Sequence, residues 1–421
     1  MSIPKVILMI ESSRASGRAL LHGIADYSHQ WGPWSFSWET GGLEKAWPML
    51  QDADVKGVIL RDVDKLNEVL AYRLPTVVIG HQKTEIPGVV NVLTDSEAVG
   101  RMGADHLTGC GFKHFAYCGY ARTPFENAEW SEVRREHFAA RLREIGYPAP
   151  QRFNLAMDAR DWSRQQSSAI GWLQGLPKPV GLMACNDDCG QRVLQLCKLA
   201  GLAVPDEVGM IGADNDEVVC ALMDPPMSSI AINFERAGYE AAAALDRLMR
   251  GLSDVPLRIT AAATHVVARR STDFVAAEDP HLRKALVCIR DHAKRAISVD
   301  EVAMASGQSR RSLEKAFRSL LGRSILEEIR RERTDQIARL LVETDLSVAQ
   351  IADGLGFADV QHVARYFRAG KGVSPSEFRR AHGRRHEPPR GGGSAALERP
   401  SPSRTRQAPS NGAALPSLRA A

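Results

Sequence analysis

Over roughly the first 260 residues, short apolar runs alternate with stretches whose apolar positions recur every three or four residues. The runs 6–10, 55–60, 76–79, 114–118, 180–185 and 208–212 are rich in Val, Ile, Leu and Met, the composition of strands buried on both faces. The stretches 17–30, 96–109, 132–145, 162–173, 189–200 and 234–250 carry the helical period. Strand–helix alternation predicts a parallel α/β sheet, and six or more units over this length fit two doubly wound lobes better than one sheet. Gly109-Cys110-Gly111 and the stretch 201–205 carry helix-stop and turn chemistry. After Pro225-Pro226, the run 227–232 is expected to lead the chain back, with the helix at 234–250, to the first lobe.

From about Pro280 the strand-like runs cease, and helices separated by short Gly-containing turns continue to about His386. This all-α part contains a repeat. Val302-Ala303-Met304-Ala305-Ser306-Gly307 is matched 49 positions later by Ile351-Ala352-Asp353-Gly354-Leu355-Gly356, and each copy follows a Ser-Val pair. A serine that can cap a helix, an alanine where two helices approach and a glycine that turns the chain predict two helix-turn-helix motifs. Their second helices are expected at 309–320 and 359–369, with Phe317 and Phe367 inward and Gly322 and Gly372 closing them. Arg310, Arg311, Glu314 and Lys315, then Gln361, His362 and Arg365, are side-chain types able to read base edges in the major groove. Arg318 and Arg368, nearer the helix ends, suit phosphates. The expected division is 1–270 for the α/β body, 271–280 for a linker, 281–386 for the helical domain and 387–421 for a tail. That tail is dominated by Ala, Pro, Ser, Gly and Arg and is expected to be disordered.

Charge sharpens the picture. The chain is +4 overall, but residues 1–280 hold 28 Lys and Arg against 35 Asp and Glu, and residues 281–421 hold 26 against 15. An acidic body of −7 joined to a basic third of +11 fits a sensing part carrying a nucleic-acid-binding module. No apolar run approaches the roughly 18 residues that span a bilayer, and the start lacks the pattern of a signal peptide. Seven scattered cysteines fit reduced thiols, so a cytoplasmic protein is expected. No glycine-rich phosphate loop opens a helix after a strand. Cys185 and Cys189 have no companions at zinc spacing, so neither a metal nor a cofactor is called for. His382 and His386 lie in a basic run and are expected to be solvated.

Residues 281–382 resemble the two-motif DNA-binding domain of the AraC/XylS family. The second half carries the resemblance: Ile351-Ala352, Gly354-Leu355-Gly356-Phe357, Phe367-Arg368 and Gly372-Val373-Ser374-Pro375-Ser376-Glu377-Phe378-Arg379. By that resemblance Arg311, Glu314 and Lys315 take the base-reading positions of the first helix, and Gln361, His362 and Arg365 those of the second.

Residues 1–270 resemble the LacI/GalR-type effector domain, a periplasmic-binding-protein fold. The matching pieces are Thr94-Asp95, His106-Leu107, the run from Gly111 to Tyr117, Arg134 with Phe138, Ala184-Cys185-Asn186-Asp187-Asp188, and the run from Val208 to Asn215. A sugar needs carboxylates, amides and an Arg fork at strand ends, with an aromatic for its apolar face. Glu11, Ser12, Ser13 and Arg14 follow the first strand, Asn186 and Asp187 a later one, and Asp214 and Asn215 the last. Arg134 starts a helix with Trp130 one turn before it. A simple helix cap is the competing reading for each Asp or Asn. The resemblance favours Arg134 and Asp214 for direct hydroxyl contacts.

The fusion of these two parts is similar to the xylose operon regulator group. It implies a regulator of sugar-catabolism genes with D-xylose as effector, operator DNA and a second copy of the chain as partners, and activation as the usual outcome. It leaves RNA polymerase open as a further partner. The rival reading is an α/β enzyme acting on a sugar, with Asp187 and Asp214 as its acid–base pair and the helices as an appendage.

Overall fold

The computed structural model describes residues 3–39, 43–61, 66–80, 85–120, 128–156, 162–274 and 279–383. The expected tail and His386 lie outside the described residues. Twelve strands are described: β1 Lys5–Met9, β2 Ser35–Trp38, β3 Val55–Arg61, β4 Thr76–Ile79, β5 Val90–Thr94, β6 His114–Tyr120, β7 Gln151–Leu155, β8 Val180–Ala184, β9 Val208–Asp214, β10 Ser228–Ile232, β11 Arg258–Ala261 and β12 Ala263–Val267. They form two six-stranded sheets, ordered β11-β5-β4-β3-β1-β2 and β12-β10-β9-β8-β6-β7. All pairings are parallel except β10 with β12. The central strands β4 and β8 are buried along their whole length, as parallel strands covered by helices on both faces must be.

The chain crosses between the sheets three times: after β5 through the helix Ser96–Gly109, after β10 through Phe234–Met249, and between β11 and β12 at Ala262. This corrects the reading of the run 227–232. It is no connector but forms β10, paired with both β9 and β12. The helix Phe234–Met249 makes the return by packing on the helix Ala15–Trp31 of the first lobe. Gly23 and Gly238 allow that crossing, since a Cβ on Gly238 would lie 2.1 Å from the Leu20 carbonyl oxygen.

Seven α-helices build the described helical third: Pro280–Asp291, Val299–Ser306, Arg310–Ala316, Ile325–Glu343, Val348–Gly354, Val360–Lys371 and Pro375–His382. Their starts follow from the sequence. Ser298, Ser324, Ser347 and Ser374 each cap a helix reciprocally with the Glu or Gln three residues on. Each motif has its own core, around Val302, Leu313 and Phe317 in the first and Ile351, Val363 and Phe367 in the second. One difference from expectation is local. The first motif's second helix is α-helical only to Ala316 and then widens into a π-helical turn, Phe317–Leu321, closed by left-handed Gly322. The helix Ile325–Glu343 joins the motifs and packs along β12, covering that edge of the second sheet.

Candidate ligand cavity and nucleic-acid interface

A cavity of about 430 Å³ opens between the two lobes. It lies at the carboxyl ends of the strands, where loops carry side chains that the sheets hold in place. From the first lobe come Glu11, Ser13 and Arg14 after β1, Arg61 at the end of β3, and Thr94 and Asp95 at the end of β5. The second lobe supplies Asn186, Asp187 and Asp188 after β8 and Asp214 and Asp216 at and after the end of β9. The helix Glu129–Glu144 presents Trp130, Val133, Arg134 and His137.

Arg134 is 3 % exposed. Its Nη1 donates to the Cys185 carbonyl at 2.5 Å, and its Nη2 faces the Asp214 carboxylate at 3.5 Å. The guanidinium lies 4.7 Å from the centre of the Trp130 ring. Its Nε is buried without a protein partner, as is the Nε of Arg61. Burial raises the Asp214 pKa and the Asp188 charge raises it further, while Arg134 opposes both. Asp214 holds φ at 101° and Asn215 at 50°, conformations that cost a side-chain-bearing residue energy and are kept only where surroundings impose them.

Among the described residues, several contacts span the lobes, with Arg18 3.9 Å from the Asp216 carboxylate. Arg14 Nε donates to Asp188 at 2.9 Å, and the Ala15 N–H donates to Asp216 at 2.8 Å. Within the first lobe, Arg61 pairs with Glu11 at 3.2 Å. Ser13 lines the cavity, and its carbonyl accepts from Arg18.

Three expected ligand residues have other work. The Asn186 side chain caps the helix Asp187–Leu199 by accepting from the Cys189 N–H at 2.9 Å. Asp187, 3 % exposed, accepts from Ser229 Oγ at 2.6 Å and from the Asp216 N–H at 2.8 Å. Burial beside Asp214 pushes its pKa well above the usual carboxylate value. Asn215 is not in the cavity wall. The left-handed turn at 214–215 carries it away, and its Oδ1 accepts from Arg269 at 2.8 Å. Conversely, Arg61, Asp188, Asp216 and His137 line the cavity without having been singled out as ligand groups. Strand-end position was signal enough for Arg61, directly after the apolar run 55–60.

On the helical third, Arg310, Arg311, Lys315, Arg318, Gln361, His362, Arg365 and Arg368 are all exposed. Arg310 pairs with Asp300 at 3.4 Å and Arg368 with Glu377 at 3.5 Å. The His362 ring stands edge-on to Phe357, 5.2 Å between centres. Glu314 departs from the expected base-reading role. It is half-buried, accepts from the Ile325 N–H at 3.2 Å and from Arg318 at 3.1 Å, and so supports the start of the next helix. His382 is likewise not solvated: it is half-buried with its ring 4.5 Å from that of Phe378, and burial lowers its pKa. Arg333, which sequence reasoning missed, ties the joining helix to the second motif. It donates to the Leu355 carbonyl at 2.5 Å and lies 4.3 Å from the Phe357 ring centre.

Comparison with known proteins agrees with this fold. Residues 104–272 match the family described as periplasmic binding protein-like domain, and residues 295–381 match the family described as helix-turn-helix domain. The xylose operon regulatory protein of Escherichia coli K12 is 29 % identical over 385 residues, covering 89 % of this chain and 96 % of that one. Its counterpart in Haemophilus influenzae is 28 % identical, covering 89 % and 98 %. A solved structure described as the xylose-binding transcription activator xylR superposes with a TM-score of 0.58 at 28 % identity, covering 91 % of this chain and 99 % of that one. These relatives are transcription regulators rather than enzymes. The chain therefore joins a periplasmic-binding-protein-like domain to an AraC-type helix-turn-helix domain and is similar along most of its length to xylose operon regulators.

Proposed function

We propose that this regulator is governed by a sugar held in the interlobe cavity, with D-xylose as the effector, and that it acts in the cytoplasm on sugar-catabolism genes. The observation that carries the reading is Arg134. A buried guanidinium with an unpartnered Nε, set against a carboxyl and an indole, is a costly arrangement unless a ligand completes it. A pentose supplies hydroxyls that both donate and accept, and an apolar ring face for Trp130. Arg61 offers a second unpartnered N–H from the opposite lobe. The names of the relatives point the same way.

We assign effector binding to 1–270, the link to 271–280 and DNA binding to 281–386. Arg311 and Lys315 read bases from the first motif, and Gln361, His362 and Arg365 from the second. Two protomers present four motifs along one face of the duplex, and activation proceeds through contact with RNA polymerase. The closed cavity must hold sugar more tightly than the open one, because a ligand shifts a conformational equilibrium only through differential affinity. Titration calorimetry of the full chain with D-xylose, D-ribose, L-arabinose and D-glucose tests the assignment. Saturable binding led by D-xylose supports it, and heats of dilution alone for all four would remove the sugar from the account.

A further inference from the structure

We infer that Asn233 is the residue through which closure of the cavity reaches the second helix-turn-helix motif, an inference that rests on the effector reading above. Asn233 sits in the second crossing between the lobes, directly after β10 of the second sheet and directly before the helix Phe234–Met249. Its N–H donates at 2.9 Å to the carbonyl of Ala262, which forms the third crossing. Two of the three crossings are therefore tied together at this residue. Rotation of one lobe against the other is absorbed at such crossings. The next residue, Phe234, lines the cavity.

The side chain, 7 % exposed, faces both ways. Its Oδ1 accepts from the Arg236 N–H at 3.1 Å and caps the helix Phe234–Met249. Its Nδ2 donates to the carbonyls of His382 at 2.5 Å and Gly383 at 3.3 Å, at the end of the last helix, Pro375–His382. One amide thus starts a helix of the body and closes a helix of the DNA-binding part. Arg236, one turn on, donates to the Arg380 carbonyl.

The lever comes from where the other anchors lie. Arg323 donates to the Gly109 carbonyl at 2.7 Å, and His265 meets Glu343 at 3.3 Å. Gly109 ends a helix packed on the second sheet, and His265 is on β12 of that sheet. The helix that Asn233 caps packs instead on β3, β4, β5 and β11 of the first sheet. The helical third is thus gripped by both lobes, and closure displaces the Asn233–Arg236 grip relative to the others. The displaced element, Pro375–His382, packs Phe378 edge-on against Phe367 of the second motif's second helix, 5.2 Å between ring centres. Closure therefore tilts the second motif more than the first.

The test uses the full chain and the DNA upstream of its own gene. Asn233→Asp keeps the cap, because Asp caps helices as well as Asn, but a carboxylate cannot donate to two carbonyls. Arg323→Ala removes a second-lobe anchor as the contrast. The expected result is that Asn233→Asp holds D-xylose within twofold of the parent. Its sugar-induced change in DNA affinity should nonetheless fall from at least fivefold to under twofold, while Arg323→Ala keeps most of the change. A full change in Asn233→Asp would overturn the inference. Calorimetry with D-xylose separates this from failure of the effector reading. Should D-xylose not bind, hydrogen exchange decides through linkage in the reverse direction. DNA should alter amide exchange at 230–234 and 260–263 in the parent and not in Asn233→Asp; equal responses in both overturn the inference.

Discussion

Arg134 is held by the Cys185 carbonyl on one side and the Trp130 ring on the other, so contacts within the protein orient its fork. Arg134→Ala leaves Asp214 without its nearest cation and should lower D-xylose affinity at least tenfold by calorimetry, with the circular dichroism spectrum unchanged. This follows from a loss of about 1.5–3 kcal/mol for a hydrogen bond to a charged group. Unchanged affinity would take Arg134 out of the site. A second residue-scale consequence concerns His106, whose Nε2 meets Thr272 Oγ1 at 2.9 Å. Burial, reinforced by Arg331, Arg290 and Arg323, lowers its pKa to about 3. The folded chain therefore keeps His106 neutral while the unfolded chain protonates it near 6.5. Its contribution to stability is whole above pH 6.5 and drains away as the pH falls from there towards 3. Urea midpoints at pH 7.5 and 5 should show that decline, and His106→Gln should flatten it; an equal decline in the variant would assign it to other groups. Strand ends pointed from sequence alone to Glu11, Ser13, Arg14, Asn186, Asp187 and Asp214 in the cavity wall. They could not show that Asn215 is turned away, because that depends on two left-handed residues that no composition rule anticipates.

Elements with strong end signals were legible in the sequence. The repeated serines and glycines placed the helix-turn-helix pairs, and in the structure the same residues form capping boxes and left-handed turns. The π-helical turn at Phe317–Leu321 carries no comparable signal. The edge strands β2 and β7 were also invisible, since Ser35–Trp38 and Gln151–Leu155 are half-polar and largely exposed, lacking the apolar run that marks the central strands. The crossing of Ala15–Trp31 with Phe234–Met249 depends on backbone approach, which no side-chain pattern reports. Gly238→Ala should therefore cost about 1–3 kcal/mol, the usual range for overpacking, read as a lower denaturant midpoint. A neutral substitution would mean that the two helices can part at no cost. At the second motif, Arg365→Ala should relax preference at one or two adjacent base pairs of the operator. Arg368→Ala should weaken every sequence alike and lower the salt slope by about one unit. A panel of single-substitution operators at two salt concentrations separates the two, and a uniform loss for Arg365→Ala would make it a phosphate contact.

At the scale of the whole molecule, the split between a −7 body and a +11 third pointed to two kinds of domain in one chain, and the two family matches fall on either side of it, at 104–272 and 295–381. What the pattern could not show is how tightly they meet. Arg323 on Gly109, Glu343 on His265 and Asn233 on His382 are long-range contacts between polar groups, and none leaves a periodic trace in the sequence. In the proposed function, those contacts are the route by which a ligand in the cavity would affect DNA held by the helical part. The most direct test of the account is therefore a coupling measurement: fluorescence anisotropy of the full chain on the DNA upstream of its own gene, at one fixed salt concentration, with and without saturating D-xylose. The account predicts that the sugar changes the dissociation constant at least fivefold, the lower end of ordinary allosteric coupling, and that Arg134→Ala, still bound to DNA, no longer responds. Tight DNA binding indifferent to D-xylose would contradict it.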